Sequence, residues 1–300
     1  MFSLPPPSPN QAFCHVSALE SGFIDLPLHL FLSNADPSLR EKLTAPSLSF
    51  LIRHSKHSKT FLFDLGIRKY WQSYPPGVLQ RINTVYHNGI RVPNDVCDSL
   101  AKGGLSPTDI DAICVSHMHW DHVSTAAPFT TSTFFLGAES KSLVESQLED
   151  SNVPSVFAND LPPSRTQYFP SPEDPDSQFI QIGPFKALDF YKDGSLYIID
   201  SPGHVRGHVN LLVRTSPDGG WIYLAADSAH HVDLITGNSE IACSDTVCAH
   251  ENIEKAKEHI GKIRELMKIP RVLVLLAHDA PWYEQFKDSS AFWPGQIESK

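Results

Sequence analysis

Short apolar runs divided by polar turns dominate the chain, with amphipathic stretches at intervals. Residues 47–53 and 60–64 are β-rich runs on either side of the polar HSKHSK segment, which predicts a hairpin. Residues 110–116 predict a further compact strand. Residues 94–102, followed by Gly103-Gly104, have the spacing of a helix with a glycine stop. A second helix is predicted over 139–150, with Leu143, Val144 and Leu148 on one side. Two more hairpins follow: 185–191 and 196–200 flank Asp193-Gly194, and 209–215 and 221–225 flank Asp218-Gly219-Gly220. Their strands alternate poorly, which predicts burial on both faces. Residues 249–268 form a charged amphipathic helix with Ile253, Ala256, Ile260, Ile263 and Leu266 near one face, and 271–276 a buried strand ending at His278. Between these elements, 152–178 is rich in Pro, Ser, Asp and Glu and reads as an irregular excursion, either a pocket wall or lid or a plain surface loop.

Strands with helices at intervals, arriving in two comparable halves, predict an α/β (α+β) architecture with helices outside a central pair of sheets, an αββα sandwich. No repeat or linker divides the chain, so residues 1–300 are expected to form one domain, with 1–12 flexible or draped on the surface. A net charge of -10 and the absence of a basic stripe exclude a nucleic-acid partner. The N-terminal sequence lacks the basic and apolar regions of a signal peptide, and no apolar run reaches the length of a membrane span. A cytoplasmic protein without a membrane partner is expected. Its five cysteines form no CxxC pair and are expected as buried or half-buried thiols in a reducing compartment.

The chemistry concentrates in Ser116-His117-Met118-His119-Trp120-Asp121-His122, directly after an apolar strand. With 15 histidines in the chain, one His-x-His would carry little weight. Three imidazoles and a carboxylate at HxHxDH spacing are instead a dense set of ligands of the kind zinc and its neighbours prefer. Trp120 is expected to be packing.

The motif resembles that of the metallo-β-lactamase superfamily, and four further segments extend the resemblance in the expected order. They are Phe61-Leu62-Phe63-Asp64-Leu65-Gly66, Pro202-Gly203-His204-Val205-Arg206-Gly207-His208, Leu224-Ala225-Ala226-Asp227 and Leu275-Leu276-Ala277-His278-Asp279. The resemblance implies the αββα fold of that superfamily and two divalent metal ions, zinc first, with manganese, cobalt or iron as alternatives. It implies that His117, His119 and His208 hold one ion, that Asp121, His122 and His278 hold the other, and that Asp227 bridges them. Asp64 and His204 would support the ligands from behind. Two such ions generate a hydroxide at neutral pH for attack on an acyl carbon, with Asp121 or Asp227 relaying a proton.

Within the superfamily, the ligand pattern, the His278-Asp279 ending and the length are similar to the N-acyl homoserine lactonase branch. These imply a lactonase acting on a small-molecule substrate. One departure qualifies the substrate. Lactonases of this type place a tyrosine three positions after the bridging aspartate, where this chain has His230. His230 is therefore a candidate catalytic donor, and a lactam or cyclic carbamate is the main alternative substrate. Thioester hydrolysis and a mononuclear iron persulfide dioxygenase using His117, His208 and Asp227 are further alternatives. So is a non-enzymatic effector with a relic site. Residues 68–71, the 152–178 excursion and Trp282, Tyr283 and Phe286 are candidate walls of a moderately apolar pocket suited to an aromatic or apolar substrate. A homodimer is left open.

Overall fold

The computed structural model describes residues 2–149, 161–243 and 248–300. Its first sheet contains β1 (Cys14–Pro27), β2 (Lys42–His54), β3 (Thr60–Phe63), β4 (Ile90–Arg91), β5 (Ala112–Cys114), β6 (Thr133–Leu136) and β7 (Thr166–Tyr168), in the order β4-β1-β2-β3-β5-β6-β7. β2 and β3 form the expected antiparallel hairpin, and β3, β5, β6 and β7 run parallel. The second sheet contains β8 (Ile180–Ile182), β9 (Phe185–Asp189), β10 (Leu196–Asp200), β11 (Val209–Arg214), β12 (Trp221–Leu224) and β13 (Val272–Leu275), in the order β13-β12-β11-β10-β9-β8. It is antiparallel except where β12 and β13 pair in parallel.

Side-chain alternation explains the layers. In β3, Phe61 and Phe63 pack between the sheets with Ile198, Leu211 and Leu224, whereas Leu62 points to the opposite side. There it meets Val78 and Ile82 of α1 (Pro76–Tyr86) and Val96 and Leu100 of α2 (Val96–Ala101). The second sheet mirrors this arrangement. Leu211 and Val213 face the first sheet, and Leu212 faces outward. The short α3 (Trp120–Val123) follows β5, and α4 (Ser140–Glu149) adds Leu143 to the helical layer over the first sheet. Leu212 packs with Leu234 of α5 (Val232–Thr236) and Ile260 and Ile263 of α6 (Ile253–Leu266), which cover the second sheet. All six β11 side chains are buried, as the weak alternation predicts. α7 (Ala280–Phe286) follows β13 and completes the αββα arrangement.

Several elements differ from expectation for physical reasons. β1 is the longest strand, yet its alternation is broken where the register with β2 shifts between Glu20 and Phe23, beside Gly22 at φ +108°. That break hides the strand in the sequence. The excursion is not wholly irregular: Thr166–Tyr168 adds to the sheet edge as β7, too short to show a period. Residues 152–160 of the excursion and the Leu148 side chain fall outside what is described. α6 begins at Ile253 rather than 249, because Asn252 caps it by accepting from the Lys255 amide. Ala249 and His250 are thereby left outside the helix. Cys243 and Cys248 form a disulfide rather than free thiols, with their Cα atoms 4.5 Å apart, a pairing that the spacing alone does not reveal. Cys14 and Cys114 are buried thiols, and Cys97 is half-buried.

Leu211, fully buried between the sheets, is the sharpest test of this packing. Leu211→Ala is expected to cost about 2–5 kcal/mol in chemical denaturation. Tyr70→Ala, at a residue 76% exposed, should change stability by less than about 0.5 kcal/mol.

Candidate metal centre

The site lies where β3, β5, β10, β12 and β13 end. These strands run parallel to one another within their sheets, so the residues just past their C-termini gather along one edge. The edges are tied together by the Val209 amide, which donates to the Ser116 carbonyl.

Asp64 follows β3 with φ +62°, a conformation that turns its carboxylate inward. It accepts from the Ser116 amide at 2.6 Å and the Ser116 hydroxyl at 2.8 Å, and pairs with His122 Nδ1 at 2.8 Å. His119 precedes α3, whose single turn carries Asp121 and His122. His208 closes the loop after β10: its Nδ1 lies 3.0 Å from the Ser201 carbonyl and 2.9 Å from the Ser201 hydroxyl. Past β13, His278 Nδ1 donates to the Pro46 carbonyl at 2.8 Å. His122, His208 and His278 are thus each held through Nδ1, which leaves Nε2 as the outward-facing atom. His208 Nε2 is buried and has no hydrogen-bond partner among the described residues.

Asp227, after β12, stands at the middle. Its Oδ1 lies 3.3 Å from His122 Nε2 and 3.4 Å from His278 Nε2, and its Oδ2 lies 3.2 Å from His230 Nε2 and 3.8 Å from His117 Nε2. Two groups of donor atoms meet there. One nitrogen or oxygen each from His117, His119, His204 and Asp227 lie within 4.8 Å of one another, as do those of Asp121, His122 and His278. The structure therefore brings the HxHxDH residues, Asp227 and His278 together, with Asp64 behind His122. The His208 ring centroid is 5.1 Å from that of His117. His204 stands further forward than a supporting role requires, with Nε2 2.9 Å from His119 Nδ1 and 3.2 Å from His117 Nε2.

Burial lowers His119 and His208 to about 4 and holds His117 and His204 well below the usual imidazole range. For His278, burial opposes the charge, but Asp227 and Asp121 outweigh it and raise the group to about 10. Asp227 stays ionised, because His122, His278 and His230 outweigh the burial that resists its charge. His122 is likewise raised well above the usual range, with Asp227 and Asp64 outweighing its burial. His117, His119 and His204 therefore stand as neutral donors beside an ionised Asp227, whereas His122 and His278 carry protons that a bound cation would displace.

The pocket over this centre is walled by Leu26, Phe31, Arg81, Tyr86, Trp120 and Ala249, with His119, Asp121, His204, Asp227, His230 and His278 at its base. The predicted walls lie elsewhere. Trp282 and Phe286 line a separate cavity with Leu273 and Ile297, and Arg68–Tyr70 line a cleft with Asp98 and Pro128. Trp120 does pack, edge-on to Tyr74 and Tyr86, and also forms part of the wall. Arg81 and Tyr86 come from α1, which sequence reading left unassigned; its signal was Val78, Ile82 and Tyr86 at four-residue spacing. His250, two residues before the Asn252 cap, was also missed.

The family model described as the metallo-beta-lactamase superfamily matches residues 44–220. The chain is 31% identical to the cytochrome P450 monooxygenase mpaDE of Penicillium roqueforti over 95% of its own length and 35% of that protein. It thus spans about a third of the length of that relative and of two others that it matches almost throughout. It is 36% identical to the gamma-lactamase FDB1 of Fusarium pseudograminearum over 64% of this chain and 47% of that protein. Among solved structures, a variant of AiiA from B. thuringiensis with N-decanoyl-L-homoserine bound at its active site superposes with TM-score 0.67 at 17% identity, covering 94% of this chain and 98% of that one.

Asp64→Asn keeps the side chain's size but removes its charge and leaves one oxygen in place of the two that accept from Ser116 and His122. Affinity for zinc, measured by competition with a chromophoric chelator, is expected to fall about 10–100-fold. Unchanged affinity would show that Asp64 does not position the centre.

Proposed function

The chain belongs to the metallo-β-lactamase superfamily, and from that premise we propose that it is a dinuclear metal-dependent hydrolase that opens a lactone or related cyclic ester. The observation that carries this reading is Asp227, whose two carboxylate oxygens face separate groups of imidazoles. The donor atoms of His117, His119, His204 and Asp227, all within 4.8 Å of one another, fit the same reading.

His117, His119 and His204 would hold one ion, in place of the expected His208, and Asp121, His122 and His278 the other, with Asp227 shared between them; zinc suits this nitrogen and oxygen set. Bound there, two divalent ions supply an acidified water and polarise the substrate carbonyl. The chain's own residues do the rest. Leu26, Phe31, Tyr86 and Trp120 exclude water and hold an apolar or aromatic ring above Asp227. Arg81, the cation in the wall, faces a polar or anionic substituent of that ring. Asp121 or Asp227 accepts the proton of the attacking water. His230 Nε2, 3.2 Å from Asp227 Oδ2, would deliver its own proton to the leaving atom and then recover one from the carboxylate that accepted the water's proton.

A lactam is the second reading, favoured by the relative named as a gamma-lactamase. His230 distinguishes the two, because an amide nitrogen needs a proton to leave whereas an alkoxide depends on it less. The whole activity of the longer Penicillium roqueforti relative is not assigned to this chain, which covers 35% of it.

Asp227→Ala is expected to abolish ring opening across a panel of lactones, lactams and thioesters assayed by acid release. Survival of turnover would rule out a shared carboxylate. On a matched lactone and lactam, His230→Gln should lower kcat by about 10²–10⁴-fold for the lactam and by less for the lactone. Equal losses would remove His230 as the proton donor.

A further inference from the structure

Two cavities meet at Arg81. The one over the metal centre has a volume of about 30 Å³, and its neighbour one of about 340 Å³. Pockets that enclose small molecules start at roughly 300 Å³, so the outer space is of that size and the inner one is far below it. The inner space receives the scissile edge of a ring, and the rest of a substrate needs room elsewhere. The two spaces are consecutive. Leu26, Phe31, Tyr86 and Ala249 line the inner cavity, and their neighbours in sequence, Pro27, Leu30, Val85 and Cys248, line the outer one. Four walls thus continue from one cavity into the next, and Arg81 lines both.

Charge then selects what the outer cavity takes. Among the described residues, its ionisable lining is Arg81, His29 and His87, with no carboxylate. Arg81 pairs with no carboxylate among the described residues either. A guanidinium is always charged, and its fork of N–H donors matches the two oxygens of a carboxylate. His29 Nδ1 is buried without a hydrogen-bond partner among the described residues, so it is available to an occupant of the same space. One permanent positive charge in this lining calls for one negative charge in the ligand.

We propose that the outer cavity is the subsite for a substrate substituent that ends in a carboxylate, held by Arg81, while the scissile bond of the ring lies in the inner cavity over Asp227. The proposal deepens the ring-opening reading and rests on it for the identity of the ring. Arg81 is then the specificity-determining residue, and the substrate class narrows from lactones in general to lactones that carry an acid on a side chain.

The test uses the full chain loaded with zinc and two ligands, a lactone ring bearing an alkyl chain that ends in a carboxylate and the same molecule as its methyl ester. Each is also made as the cyclic ether, which cannot be opened, and binding of the ethers is measured by calorimetry. The acid is expected to bind about 10–100-fold tighter than the ester, and Arg81→Gln should bring that ratio close to one. Arg81→Lys, which keeps the charge but not the fork, should retain part of the preference. Thr84, exposed on α1, lines the outer cavity and not the inner one. Thr84→Trp is therefore expected to weaken the acid about tenfold more than a ring lacking the side chain. Equal binding of acid and ester by the unaltered chain, or a preference that survives Arg81→Gln, would overturn the proposal. So would a Thr84→Trp variant that weakens both ligands alike, a measurement that decides the matter even if Arg81→Gln does not fold. The lactones separate the two readings: selective binding of the acid ether without opening of either lactone would sink the ring-opening reading and leave the carboxylate subsite standing.

Discussion

A carboxylate buried at 2% exposure cannot remain ionised unless opposite charge or well-placed donors offset its lost hydration. Asp227 is in that position, and much of the molecule follows from it. His122 and His278 approach one oxygen while His117 and His230 approach the other. Those rings can point inward only because Asp64 and the Pro46 carbonyl hold the far side of His122 and His278, as the Ser116 hydroxyl does for His117. His117, His122 and His278 are therefore oriented before any substrate arrives, each held from behind by a hydrogen bond to backbone or to a residue at a strand end.

The sandwich supplies the geometry that this requires. Two sheets place strand C-termini on one edge, and the helices bury the outer faces so that the loops at that edge are left to carry chemistry. The loop after β10 shows how closely it is fitted. Gly203 has φ +133°, and a Cβ there would meet the Ala256 backbone nitrogen at 2.4 Å, so only glycine lets the loop bearing His204 and His208 lie against α6. The Asn252 cap acts at the same junction. By starting α6 at Ile253, it releases His250 towards His204 and His230, whose rings lie 5.2 and 5.3 Å away.

The substrate side is built from a different part of the chain. Leu26 closes β1, Phe31 follows it and tilts against His230 at 4.7 Å, and Arg81 and Tyr86 descend from α1. An apolar wall with one cation suits a ring carrying a polar or anionic group. Apart from Trp120, which stands between His119 and Asp121, the pocket walls come from other segments than the candidate metal ligands, and changes in those walls can alter the substrate while the chemistry stays the same.

The sequence by itself determined the ligand-bearing segments and the architecture. HxHxDH, the Gly203–His208 turn, Asp227 and His278 are local patterns in a fixed order, and strand period and turn residues are local signals too, but which histidine of that turn joins the donors is not among them. Tertiary structure alone decided the rest. Whether His204 stands behind or among the donors depends on how one loop packs on α6, and whether Trp282 lines the pocket depends on which side of the sheets α7 lies. β1 was hidden by a register shift at Gly22, β7 by its brevity, and the Cys243–Cys248 bridge by a pairing that no spacing encodes. In each case the deciding contact is a pairing or packing in space that has no periodic trace along the chain. Periodicity and motif spacing report only on neighbours along the sequence, so they cannot register it.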